Sequence, residues 1–235
     1  MNIDDIKREF PIFDDKIQNN DLVYLDSANS SQKPRVVVDR IYDFYTKEFS
    51  NVGRSVHYLA VAATNLYEQT RVSVQKYINA KDKDEIVFTK GATEAINLVA
   101  NTFGQKYLSE GDEVLLTELE HHSNYVPWHF LRKAKNIKIE FAEINDNGEV
   151  TLEAIEKKIT NKTKIISVSH LSNVTGAILP IKEIVRLAHS KNIPVLIDGC
   201  QGAPHLKLDM QEIDCDFYAI SGHKMYGPTG IGVLY

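Results

Sequence analysis

A chain of 235 residues, 43% hydrophobic and 25% charged, is long enough to bury one substantial core and reads as an ordinary soluble globular protein. Its formal net charge of −5 and scattered basic residues give no electrostatic footprint for nucleic acid. The start, Met1 to Lys7, lacks the apolar core of a secretory signal, and no apolar run approaches the roughly 20 residues that cross a bilayer, so no membrane partner and a cytoplasmic location are expected.

In chain order, Leu22-Val23-Tyr24-Leu25 reads as a short strand, Pro34 suits the first turn of a helix running toward Phe49, and a second helix is expected from Leu59 to Ile78. Seven strand-like runs follow: 85–88, 114–117, 137–141, 164–168, 195–197, 217–220 and 231–234. Helical spacing intervenes. Ile96, Val99, Ala100 and Phe103 fall at i, i+3, i+4 and i+7, and Ile181, Ile184, Val185 and Ala188 repeat the pattern. This alternation predicts an α/β fold, a mainly parallel seven-stranded sheet with helices on both faces. No internal repeat, low-complexity tract or linker interrupts it, and the last run ends at Tyr235 as an expected uncovered sheet edge. Cys200 and Cys215 are too few for a disulfide framework and lack metal-site spacing, so no metal is expected.

Ligands of open parallel sheets collect at the carboxyl ends of strands, so the residues just after each apolar run form a shortlist. Lys224 heads it, in Ser221-Gly222-His223-Lys224-Met225-Tyr226-Gly227, where glycines let backbone approach a ligand. One run earlier, Val195-Leu196-Ile197 ends in Asp198-Gly199-Cys200-Gln201. An amine and a buried carboxylate ending neighbouring strands suit pyridoxal 5′-phosphate, whose aldehyde takes an amine and whose ring nitrogen takes an anion. At about 3 Å and an effective dielectric near 20, that carboxylate attracts a ring N–H cation by roughly 5 kcal/mol, enough to keep the ring protonated. Taken singly, Asp198 also reads as a helix N-cap and Lys224 as a solvated turn lysine; their pairing favours the cofactor.

The remaining shortlist fits the same pocket. Gly91-Ala92-Thr93-Glu94 opens the helix carrying Ile96, where backbone N–H groups, the Thr93 hydroxyl and the helix dipole would take a phosphate, with Ser221 and His223 reaching in from the Lys224 loop. Alone, the motif is also an ordinary helix cap. His121 and His122 are adjacent, so their side chains should diverge; one would stack on the pyridine ring and exchange protons, whereas in isolation either reads as a surface or capping histidine.

These motifs, together with Leu25-Asp26-Ser27-Ala28-Asn29, Lys90–Val99, Glu120-His121-His122-Ser123-Asn124 and Ser169-His170-Leu171-Ser172-Asn173, resemble the pyridoxal-phosphate enzymes of aminotransferase class V, and within them the SufS-type cysteine desulfurases. The resemblance implies the large domain of a fold type I pyridoxal-phosphate transferase over residues 1–235, with an amino-terminal segment of about 50 residues and without the carboxyl-terminal small domain. It makes Lys224 the Schiff-base lysine, Asp198 the ring-nitrogen partner, Gln201 a donor to the phenolic oxygen and His121 the stacked proton shuttle. Ala92, Thr93, Ser221 and His223 match the phosphate cradle, and Asn173 a position near cofactor and substrate carboxylate. It further implies a homodimer that converts L-cysteine to L-alanine and passes sulfur as a persulfide to an acceptor protein of iron-sulfur cluster assembly.

The chain departs from the family in three places. It has no counterpart of the nucleophilic cysteine downstream of the lysine or of the carboxylate-binding arginine, so a shortened enzyme of low activity is expected. Gly53-Arg54-Ser55-Val56-His57 follows the family's histidine-arginine-glycine pattern only in part, leaving Arg54 and His57 equally readable as loop residues. The alternatives are another class V enzyme, such as a selenocysteine lyase or an aminotransferase, and a noncatalytic module that keeps the cofactor pocket.

Overall fold

The computed structural model describes residues 2–235; Met1, first residue of the expected domain, lies outside them. The amino-terminal segment begins with a helix, Ile3–Arg8, whose Asn2 cap accepts from the Asp4 N–H. Two short strands follow, β1 (Lys16–Ile17) and β2 (Asn20–Asp21), paired antiparallel around Gln18 and Asn19, both at positive φ. The strand expected at Leu22–Leu25 is absent: no neighbouring strand offers it hydrogen bonds, and Val23 and Leu25 are 75% and 92% exposed.

Pro34 stands just before its helix rather than in the first turn, with extended backbone at ψ 153°; the helix Arg35–Asp43 then loosens into a π turn, Phe44–Glu48. The long helix runs Tyr58–Tyr77. Its amino end is satisfied by His57, whose Nδ1 accepts the Ala60 N–H at 3.3 Å.

The sheet has seven strands: β3 (Val87–Thr89), β4 (Glu113–Thr117), β5 (Lys138–Ala142), β6 (Thr163–Ser169), β7 (Val195–Asp198), β8 (Phe217–Ser221) and β9 (Gly232–Leu234). Their order is β3-β9-β8-β7-β6-β4-β5. All contacts from β8 to β5 are parallel, and β9 pairs antiparallel with both β8 and β3, so six strands point one way and β9 alone opposes them. The last run is therefore interior, not an edge: Tyr235 exchanges both backbone hydrogen bonds with Tyr218 at 3.0 Å. Gly232 permits that insertion, since a Cβ there would lie 2.5 Å from the Gly91 Cα and 2.6 Å from the Ile220 carbonyl oxygen.

Side chains alternate between two cores. Leu115, Ile166, Val168, Val195, Ile197, Tyr218 and Ile220 pack with Ile181, Ile184, Val185 and Ala188 of the helix Ile181–His189. Val114, Leu116, Ile165, Leu196 and Ala219 pack on the opposite face with Ala95, Ile96 and Val99 of the helix Ala92–Val99 and with Trp128 and Leu131 of the helix His122–Lys135. The period-2 pattern makes both faces apolar, which is why helices cover both. The helical spacing through Phe103 is real, though its last part is a π turn, Ala100–Gly104.

Candidate active site

Alternation along the strands selects the face on which chemistry gathers. Ser169 follows Ile165 and Ser167, Asp198 follows Leu196, and Ser221 follows Ala219, so these three strand-terminal residues turn toward the helices Ala92–Val99 and His122–Lys135. A single cavity opens there. Ala92, Thr93, His121, Asn173, Asp198, Gln201, Ser221, His223 and Lys224 line it, which brings together the nine residues to which the family resemblance gives a role. Asn29, Ser123, Ser169, Leu171 and Cys200 complete its wall. Arg54 lies exposed outside this lining and His57 caps its helix.

Asp198 is 5% exposed and accepts one protein hydrogen bond, from the Cys200 N–H to Oδ1 at 3.0 Å. Oδ2 remains for a cavity ligand, a charged acceptor poised for a cationic N–H donor. Lys224 ends the tight turn Gly222–Lys224, closed by Met225 N–H and Gly227 N–H donating to the Gly222 carbonyl at 2.9 and 3.0 Å. Carboxylate and amine face the same cavity without closing into an ion pair.

His121 caps the helix His122–Lys135: its Nδ1 accepts the Ser123 N–H at 3.2 Å and lies 2.8 Å from Ser123 Oγ. An Nδ1 that accepts places the proton on Nε2. Burial, then the Lys224 charge, lower its pKa against the opposing pull of Asp198, so the imidazole is neutral and amphoteric at neutral pH. The His122 ring is tilted 57° to it with centroids 6.1 Å apart, and His122 is not part of the cavity lining.

Also in the lining, the Ala92 N–H donates to Ser221 Oγ at 2.9 Å, and Gly91, at φ 155°, turns the chain into the helix. Helix dipole, backbone N–H, Ser221, Thr93 and a neutral His223 form a surface that suits a phosphate. Burial, reinforced by Lys224 and Lys33, lowers the His223 pKa. Gln201, also 5% exposed, donates from Nε2 to the Ala28 carbonyl at 2.7 Å, which leaves its second amide hydrogen for the cavity. Cys200 Sγ lies 3.5 Å from Ser221 Oγ, and burial and then Asp198 push its thiol up, so it is no thiolate at neutral pH.

Glu120 holds the rim together from beneath. Oε1 accepts from Thr117 Oγ1 at 2.6 Å and Ser169 N–H at 3.0 Å; Oε2 accepts from Asn124 Nδ2 at 2.6 Å and Ser169 Oγ at 2.8 Å. Its carboxyl thus ties the ends of β4 and β6 to the helix that His121 caps. Burial outweighs those four donors and raises its pKa to about 7. The tie runs between positions 49 residues apart, and nothing in the local pattern of Glu120-His121-His122 reports it.

Residues 23–235 match the family described as aminotransferase class-V, nearly the whole chain. The chain belongs to the aminotransferase class V family. A probable cysteine desulfurase of Halalkalibacterium halodurans is 48% identical to this class V chain over all 235 residues, which span 58% of that relative. The crystal structure of the cysteine desulfurase CsdA of Escherichia coli superposes with a TM-score of 0.88 at 39% identity, over 100% of this chain and 58% of that one. The cysteine desulfurase of Thermococcus onnurineus gives 0.92 at 37% identity, over 100% and 57%. The chain thus spans under two thirds of the length of these relatives, and the seven-stranded α/β architecture is the one that they share.

Proposed function

We propose that residues 1–235, with their amino-terminal segment of about 50 residues, are the pyridoxal 5′-phosphate-binding large domain of a SufS-type cysteine desulfurase that converts L-cysteine to L-alanine. One observation carries this reading: a lysine amine, a buried carboxylate and a neutral histidine line one cavity together with a helix amino terminus. Bound there, the cofactor would supply a carbonyl that condenses with amines and a pyridinium ring that accepts the electron pair of a cleaved bond at the substrate α-carbon.

The chain's own residues divide the work by position. Asp198 Oδ2 would hold the proton on the ring nitrogen, Gln201 would donate to the phenolic oxygen, and His121 would cover the ring face and exchange protons through Nε2. Lys224 Nζ is the amine that would hold the aldehyde carbon, and as a free amine it would move the proton at the substrate α-carbon. The helix turn at Ala92 and Thr93, with Ser221 and His223, would bind the phosphate, and Asn173 would face the substrate carboxylate. Neither Cys200 nor Cys215 suits the role of sulfur acceptor, since burial holds both thiols protonated. The acceptor thiol, which leaves as a persulfide while cysteine becomes alanine, is assigned to a group outside these residues.

The named relatives favour desulfuration over the other class V chemistries, and the proposal extends to a cytoplasmic homodimer that feeds iron-sulfur cluster assembly through an acceptor protein. No helix among the described residues is long and apolar enough to cross a membrane. Reconstitution with pyridoxal phosphate, borohydride reduction and peptide mass spectrometry test the core of the reading. A cofactor-sized mass on the Lys224 peptide, absent in Lys224→Ala and much reduced in Asp198→Ala, is expected. Label on other lysines alone would refute it.

A further inference from the structure

Four donors converge on a single backbone oxygen in the turn that carries Lys224. The His223 carbonyl accepts from Ser31 N–H and Ser31 Oγ, each at 3.0 Å, from Lys33 Nζ at 2.9 Å and from Ser30 Oγ at 3.3 Å. A carbonyl oxygen has two lone pairs, so this position is oversupplied. Lys33 is also half-buried with no carboxylate partner among the described residues: its other contact there is the Ser31 carbonyl at 2.6 Å, and burial lowers its pKa. Its ammonium bridges the Ser31 and His223 carbonyls, and so links this segment to the Lys224 turn.

The same short segment reaches further. Tyr226 N–H donates to Ser31 Oγ at 2.8 Å, His223 Nδ1 lies 3.2 Å from Ser30 Oγ, and the Ala28 carbonyl accepts from Gln201 Nε2. Residues 28–33 therefore touch both the loop after β8 and the loop after β7, and Asn29 between those contacts lines the cavity. The His223 carbonyl and the Lys224 N–H share one peptide plane, so fixing that oxygen fixes the plane from which the Lys224 side chain departs.

We propose that residues 28–33 are a clasp that sets the Lys224 turn against the Asp198–Gln201 turn, with Lys33 and Ser31 as positioning residues that act through the His223 carbonyl. The proposal rests on the reading of Lys224 as the reacting amine. Lys33→Met keeps the aliphatic stem and removes the donor, Lys33→Arg keeps charge and donors, and Ser31→Ala removes one hydroxyl.

The test compares three readouts in these variants: the rate at which pyridoxal phosphate is trapped by borohydride on Lys224, the visible circular dichroism of the bound cofactor, and amide exchange in the cofactor-free protein. In Lys33→Met, trapping on Lys224 should slow about tenfold, and exchange across residues 222–227 should quicken about tenfold, with β6 and β7 unchanged. The dichroism should weaken. Lys33→Arg should restore all three, and Ser31→Ala should move them the same way by less, which keeps the test decisive if Lys33→Met does not fold.

Wild-type trapping, dichroism and exchange in both Lys33→Met and Ser31→Ala would overturn the clasp, as would acceleration spread evenly over β6 and β7. If the unaltered protein traps no cofactor on Lys224, the functional reading fails instead. Exchange at 222–227 then still decides whether the clasp holds that turn.

Discussion

Replacing Glu120 by glutamine should change how the stability of the protein depends on pH. In the folded chain burial raises this carboxyl to about 7 from an ordinary value of 4.5. The sign follows from proton counting: between those values the folded state keeps a proton that the unfolded state has lost, so stability is fully present below 4.5 and is lost as pH rises toward 7. Two and a half pK units correspond to about 3 kcal/mol. Glutamine cannot titrate, so this slope disappears. It carries a constant penalty instead, because each carboxyl oxygen has one contact that can only donate, Ser169 N–H at Oε1 and Asn124 Nδ2 at Oε2: Asn124 cannot turn its amide round while its Oδ1 accepts from Ser167 Oγ and Trp128 Nε1, so although the Thr117 and Ser169 hydroxyls can turn to accept, the glutamine NH2 still meets one donor. An unmatched buried donor costs about 1–3 kcal/mol at any pH. Urea unfolding of both proteins between pH 4.5 and 7 measures the difference in stability, which should shrink by about 3 kcal/mol in favour of the variant as pH rises. Parallel curves would refute the assignment of a raised carboxyl to this position. The comparison must be of differences, because His170 tilts the wild-type curve the other way.

Burial lowers the His170 pKa to about 4, where its Nδ1 lies 2.7 Å from the Tyr218 hydroxyl, so stability should be lost as pH falls from 6.5 toward 4, by about 3 kcal/mol in all. His170→Phe should remove that acid-side slope in the same urea series, and an unchanged slope would count against it. Gly199→Ala would place a Cβ 1.8 Å from Cε1 of the fully buried Tyr218, whose hydroxyl lies 2.7 Å from His170 Nδ1, so a loss of about 3 kcal/mol or more is expected in denaturant unfolding. A variant of native stability would mean that the ring is free to move. Ellman's reagent should titrate neither cysteine readily in the folded protein, with labelling at least about a hundredfold slower than for free cysteine, and both in denaturant, since burial raises both thiols. Fast reaction of Cys200 in the native state would contradict the neutral thiol.

The parts of this molecule that sequence made legible are those whose logic is local. Alternation in Val195-Leu196-Ile197 and Tyr218-Ala219-Ile220 reports a sheet apolar on both faces, and the first polar residue after such a run, Asp198 or Ser221, must lie at the rim. What escaped depends on partners distant in the chain. Nothing in the local sequence singles out Ser31 or Lys33, because their partner is the His223 carbonyl 192 and 190 positions away. Leu22–Leu25 has the composition of a strand, but composition cannot say that every sheet edge lies elsewhere. The run ending at Tyr235 looked like an edge because it comes last, whereas strand order is set by which backbones pair: only a glycine at 232 lets the chain pass within reach of Gly91 and slot between β8 and β3. The same insertion places β9 beside both the loop at Gly91 and the strand that leads to Lys224. Sheet closure at β9 and formation of the proposed phosphate wall are therefore one structural event, and a substitution that expels β9 should disable the cavity even though no residue of β9 lines it.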